Sequence, residues 1–265
     1  MLCFFSKVTA KCGCEASRRV LPNTILRSFS LANLRENEWL PENIAKVTPT
    51  SILLHPDYFE VRKLFDVEDL FHARVHLGHK EGSLDERMKP YIFGSRLGHL
   101  VFDLDQTANL LGVALNITAH IAYRDGIILF AGQAPQVANL IERTALEAKE
   151  FAHTRKWRLG MLTNSTMMFG ALTRLPDLII IMNTLTSVLE QHPIVNEAAK
   201  MAIPVIGIVD TNCNPNLITY PIPGNDDTPC AVELYCSLFK TAILKGKQKR
   251  AEHAKLIKRE SSDLP

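Results

Sequence analysis

Five short runs of unbroken apolar or β-branched residues alternate with longer segments of helical spacing, and this alternation restricts the folds open to the chain more than any other feature. The runs are His99–Asp103, Gly126–Ala131, Leu178–Met182, Pro204–Val209 and a weaker Leu217–Ile222. A strand with one wet face alternates apolar and polar residues, whereas an uninterrupted run suits a strand covered on both faces. Between the runs, Asp105–Tyr123 carries Leu110, Leu111, Ala114, Ile117 and Ile121 at helical spacing. Ala134–Phe151 opens near Pro135, Val195–Met201 stops before Pro204, and Asp227–Lys245 opens on an acidic pair that suits a helix N-terminus. This βαβα order predicts an α/β domain with a parallel sheet and right-handed crossovers.

Charge divides the chain further. The net charge of +2 conceals a basic segment 1–30, with Lys7, Lys11, Arg18, Arg19 and Arg27 against Glu15, and a basic segment 240–259 with eight cations against Glu252. Residues 31–239 are left acidic, at about −7. Basic ends on an acidic body suggest an address or a polyanion contact at the ends, not a body that wraps a duplex. Residues 1–30 are poor in acid and carry Ser6, Ser17, Ser28 and Ser30, the composition of a mitochondrial transit peptide. Arg27-Ser28-Phe29-Ser30 resembles a matrix-protease site. Residues 31–64, with Pro41, Pro49 and Pro56, are expected to form an irregular extension; 65–245 are expected to form a single domain and 246–265 a basic tail. No apolar run approaches the ~20 residues of a membrane span. Cys3, Cys12, Cys14, Cys213, Cys230 and Cys236 do not form a disulfide framework in a chain of this length.

Several motifs admit two readings. His72, His76 and His79 would share a face if helical, a spacing suggestive of zinc, but the metalloprotease Glu is missing and Gly78 breaks a helix, which favours a hydrogen-bonding cluster. Gly132 lies between a strand and a helix, where backbone N–H groups can bind phosphate, yet neither a G-x-G-x-x-G nor a Walker lysine accompanies it. Asp103, Asp105, Asp210-Thr211-Asn212 and Pro223-Gly224-Asn225-Asp226-Asp227 fall at strand ends, imitating a carboxylate Mg²⁺ site or serving as turns and caps. Arg155, Lys156 and Arg158 surround Trp157; the cations can meet phosphates while the indole stacks on a base or anchors a loop. Lys240, Lys245, Lys247, Lys249 and Arg250 continue this ambiguity into the tail.

The order of these motifs closely resembles the bacterial-type family of the second protein of the small ribosomal subunit, over about residues 66–245. The resemblance rests on Val75-His76-Leu77-Gly78-His79, Met88–Gly94 with Pro90, Asp103–Thr107, Trp157–Asn164 with Gly160 and Thr163, Leu175-Pro176-Asp177, Ile203-Pro204-Val205, Val209–Asn212 and Ile222–Asp227. It implies a flavodoxin-like three-layer αβα sandwich with five parallel strands and a structural role without catalysis; no cofactor, metal, membrane or small-molecule substrate is expected. With the transit-like arm, it points to the mitochondrial member, whose partners are small-subunit rRNA and neighbouring mitochondrial ribosomal proteins. Asp210 and Asn212 would then brace loops, and Asn225, Asp226 and Asp227 would cap the last helix. Three departures stand out: Leu159 replaces a glycine, Gln133-Ala134-Pro135-Gln136 replace basic residues, and Asn164 to Leu175 leaves room for one short helix where the family inserts a long helical hairpin. The alternative is a flavodoxin-like enzyme or nucleotide binder using the strand-end carboxylates.

Overall fold

A computed structural model describes residues 52–53, 55–170, 173–187 and 190–262, with side chains of the last helix through Lys255. The segment 1–30 and residues 31–51 lie outside the described residues. Residues 49–265 form one compact unit. Helix α1 (Val67–His72) opens on a reciprocal capping box between Asp66 and Asp69. It leads into β1 (Leu77–Lys80), β2 (Ile92–Arg96) and β3 (His99–Phe102), an antiparallel sheet in the order β1-β3-β2. Next come α2 (Leu104–Tyr123), β4 (Ile128–Ala131), α3 (Ala138–Ala148), β5 (Phe151–His153) and α4 (Ser165–Phe169). The chain continues through β6 (Leu178–Ile181), α5 (Pro193–Lys200), β7 (Val205–Val209), β8 (Tyr220–Pro223) and α6 (Pro229–Ser262).

The large sheet has five strands, all parallel, in the order β5-β4-β6-β7-β8. Numbered within the sheet this is 2-1-3-4-5, the doubly wound flavodoxin-like order, with its reversal between β4 and β6. Alternation along β7 shows why the strand must be apolar throughout. Ile206 and Ile208 enter a core with Leu111, Leu115, Ile141, Tyr235 and Phe239 of α2, α3 and α6. Val205 and Val209 enter a second core with Ile194, Val195 and Ala198 of α5 and with Trp157. These two cores separate the three layers.

Two strand expectations need correction. His99–Phe102 is a strand but lies outside the parallel sheet. Leu97 and Gly98 both have positive φ, at 54° and 78°, and form a two-residue hairpin loop that returns β3 antiparallel onto β2. The missing parallel strand is β5, inside the segment expected to be helical. Lys149 adopts the left-handed conformation at φ 56° and ends α3, and Phe151 pairs with Leu129 two residues later. The last strand also begins later than expected, at Tyr220, and accommodates Pro221 and Pro223 because it is a sheet edge. The last helix runs 34 residues, well past Lys245. In the segment expected to be irregular, Arg62–Leu64 form a 3₁₀ turn, and Phe59 and Val61 are buried in the first core.

Candidate functional site

Two regions carry the residues singled out by sequence: the carboxyl ends of the central strands and the Trp157 loop. At the strand ends, Gly78 places β1 against the loop after β7. A Cβ at Gly78 would lie 2.6 Å from Thr211 Cγ2, while Thr211 Oγ1 accepts the His79 N–H at 3.0 Å. This proximity sets the His79 ring between two carboxylates. Nδ1 lies 3.1 Å from Asp210 Oδ2 and Nε2 lies 3.3 Å from Asp227 Oδ2. The hydrogen bond to Asp210 outweighs partial burial and raises the His79 pKa to about 9. Asp226 is buried beside Asp210, and desolvation together with that neighbouring charge raises its pKa. Tyr235 is fully buried, and its pKa is raised by desolvation and by Asp210 and Asp226.

The three histidines do not share one helical face. His72 ends α1, His76 lies in the following turn and His79 is on β1. The His76 ring stacks on Phe71 with centroids 4.5 Å apart, and burial lowers its pKa. Asp103 is not part of the carboxylate cluster's hydrogen-bond network; its side chain caps α2 by accepting the Asp105 N–H at 3.1 Å. Asn225 organises the entry to α6. Its Oδ1 accepts from the Asp227 and Thr228 amides at 2.9 and 3.3 Å, and its Nδ2 reaches the Arg74 carbonyl at 3.3 Å. Asp210 Oδ1 braces its loop through the Thr211 N–H, and Asn212 Oδ1 accepts from the Cys213 thiol. The Pro90 carbonyl accepts from Gln106, and Gly94 lies within β2.

The Trp157 loop is organised by a residue that no motif singled out. Glu197 of α5 is buried, and its carboxylate accepts from Trp157 Nε1 at 3.3 Å, Gly160 N at 2.7 Å and Leu162 N at 3.0 Å. Gly160 has φ of 91°, which favours glycine. Trp157 is 6% exposed and meets His153 and His192 edge-on, so it anchors the loop and presents no open face for a base. The next turn begins where the Asn164 N–H donates to the Gly160 carbonyl at 2.8 Å, while Thr163 is exposed. Arg155, Lys156 and Arg158 are exposed, and no carboxylate among the described residues pairs with them.

Five tail cations are engaged within the chain. Lys240 pairs with Glu147 at 2.9 Å, Lys247 with Glu150 at 2.5 Å, Lys249 with Glu252 at 3.4 Å and Arg250 with Asp125. Lys245 donates to the Glu60 carbonyl at 3.1 Å. Nor is the strand-exit glycine a free phosphate cradle. The Gly132 N–H donates to the His153 carbonyl at 3.3 Å, and a Cβ there would lie 2.7 Å from Ile141 Cδ1.

The fold and these sites define a flavodoxin-like α/β protein whose strand-end and Trp157 loops are braced internally and which presents an exposed group of three cations beside an anchored tryptophan. The chain belongs to the ribosomal protein S2 family, whose model matches residues 70–174 and 167–246. It is 52% identical over 240 residues to the small ribosomal subunit protein uS2m of Bos taurus, covering 91% of this chain and 82% of that one. It is 33% identical over 225 residues to the small ribosomal subunit protein uS2 of Rickettsia bellii, covering 68% of this chain and 76% of the relative. The uS2 of Rhizobium rhizogenes is 32% identical over 224 residues, covering 69% and 86%. The two matched stretches overlap at residues 167–174, and α4 is the one helix among the described residues between Asn164 and Leu175.

Proposed function

We propose that the chain is a structural constituent of the mitochondrial small ribosomal subunit, held by local rRNA contacts and by neighbouring ribosomal proteins, and that it supports translation without catalysing a reaction. The observation that carries this reading is the 52% identity to uS2m of Bos taurus across 91% of the chain. Residues 1–30 serve as the import segment and are removed near Phe29–Asn33. Arg155, Lys156 and Arg158 meet rRNA phosphates, a role that suits exposed cations without carboxylate partners. The tail cations from Lys240 to Arg250 first pin α6 to the body, and their exposed parts add a weaker second contact. The acidic and apolar surfaces meet protein neighbours.

Sedimentation of mitochondrial extract tests the assignment. The protein should co-migrate with the small subunit at moderate salt and begin near Phe29–Asn33 by mass. A predominantly soluble pool that stays apart from ribosomal particles would contradict it, and a stable matrix form beginning at Met1 would contradict removal of residues 1–30.

A further inference from the structure

The reversal of strand order between β4 and β6 opens a crevice at the carboxyl ends of the strands, the position at which open α/β sheets hold ligands. Here it is a cavity of about 400 Å³ whose walls include His79, Asn183, Asp226 and Asp227. Asp210 borders the adjoining cavity together with His79 and Asp227. His79, Asp210 and Asp227 come from three separate chain segments, yet each offers one ligand atom within 4.8 Å of the others. Asp226 adds a fourth polar side chain; it is 8% exposed and meets the Asp210 carboxyl.

Asn183 supplies an independent observation. It is 7% exposed and extends into the same cavity. Its amide nitrogen donates to the Asp226 carbonyl at 3.0 Å, but its buried Oδ1 has no hydrogen-bond partner. A buried acceptor left without a donor is uncommon and calls for a ligand or a solvent partner. That oxygen lies toward Gly132, 3.5 Å from where a Cβ on that residue would sit, in the wall of the cavity that His79, Asp226 and Asp227 also line.

We propose that this crevice binds one divalent cation of the Zn²⁺ or Mn²⁺ class, with His79, Asp210 and Asp227 as its protein ligands and with Asp226 and Asn183 facing its remaining positions. One imidazole nitrogen with carboxylate oxygens suits these ions. Mg²⁺ favours an all-oxygen shell, and soft ions favour thiolates. The ion ties β1 of the antiparallel sheet to the loops after β7 and β8 of the parallel sheet. It thereby fixes the relation between the two sheets.

The test uses the full chain with Cys12→Ser and Cys14→Ser, so that the arm thiols do not capture metal. After chelator treatment, the protein is titrated separately with ZnCl₂, MnCl₂ and MgCl₂, and bound metal is counted by native mass spectrometry. The expected result is one equivalent of Zn²⁺ or Mn²⁺ bound in preference to Mg²⁺, with affinity falling at least about tenfold in His79→Gln and in Asp227→Asn. The Asp227 side chain is 71% exposed, so Asp227→Asn keeps the test decisive should His79→Gln fail to fold. Failure of the parent to retain Zn²⁺ or Mn²⁺, a preference for Mg²⁺, or unchanged affinity in a folded Asp227→Asn protein would overturn the proposal.

Discussion

Glu197 and Gly224 show how much one residue decides. Glu197 satisfies three donors of the Trp157 loop from the middle of a buried helix face. Glu197→Ala leaves those donors unmet and should destabilise the protein by roughly 3 kcal/mol, read as a lower urea midpoint with a red-shifted Trp157 emission. Gly224 follows β8 directly, and its φ is not positive, so a left-handed backbone is not what calls for glycine there. The close approach of two side chains is the reason instead. A Cβ would collide with the Tyr235 hydroxyl and lie 3.0 Å from Val75 Cγ1. Gly224→Val should cost roughly 1–3 kcal/mol by overpacking and lower the yield of assembled protein, measured by chemical denaturation and by incorporation into particles. A variant that melts and assembles like wild type would contradict this account.

At the scale of elements, two helix attachments make testable demands. His192 is 1% exposed and begins α5 by accepting the Ile194 N–H on Nδ1 at 3.2 Å. Burial, with His153 nearby, lowers its pKa to about 4. The folded state therefore resists a proton that the unfolded chain accepts near pH 6.5. This contribution to stability is intact above pH 6.5 and is lost as pH falls towards 4, on the order of 3 kcal/mol in all. His192→Asn keeps a capping oxygen and should flatten that part of the stability–pH curve, measured by urea unfolding between pH 4 and 7. On α6, Lys247 neutralises Glu150, whose side chain is 5% exposed. Lys247→Met strands that carboxylate and should destabilise by about 3 kcal/mol while leaving rRNA affinity of the folded protein nearly unchanged.

The legibility of these elements in the sequence follows from their burial. β6 and β7 are covered on both faces, so their sequences are unbroken apolar runs and were readable. β5 has three residues, lies at an edge and exposes Phe151, so its pattern merged with the preceding helix. β3 has the composition of a buried strand, but its sheet was decided by the left-handed pair Leu97-Gly98, which lacks the usual Asn-Gly signature. The Trp157 and strand-end motifs were visible as residues. Their physical roles depended on distant partners, Glu197 for the first and His79 for the second, and local spacing cannot reveal such partners.

At the scale of the whole molecule, charge distribution limits how the protein is held. Residues 31–239 carry about −7, and five of the eight cations in 240–259 are engaged within the chain, while Arg155, Lys156 and Arg158 form a compact cluster that no carboxylate among the described residues pairs with. A protein that neutralises few phosphates binds with a shallow salt dependence. Naked small-subunit rRNA should therefore bind the chain lacking residues 1–30 weakly. Neutralising Arg155, Lys156 and Arg158 together should flatten the salt slope by up to about two units, whereas retention in assembled particles should depend mainly on protein neighbours. Tight binding with a steep slope that survives this triple neutralisation would contradict divided anchoring.

The most direct test of the central claim is a density map of the assembled mitochondrial small subunit. The account predicts this chain in the particle with its 2-1-3-4-5 sheet intact, Arg155, Lys156 and Arg158 facing rRNA phosphates, and acidic or apolar surfaces against other proteins. A map lacking the chain, or one placing that basic cluster away from rRNA while the body is wrapped by RNA, would contradict it.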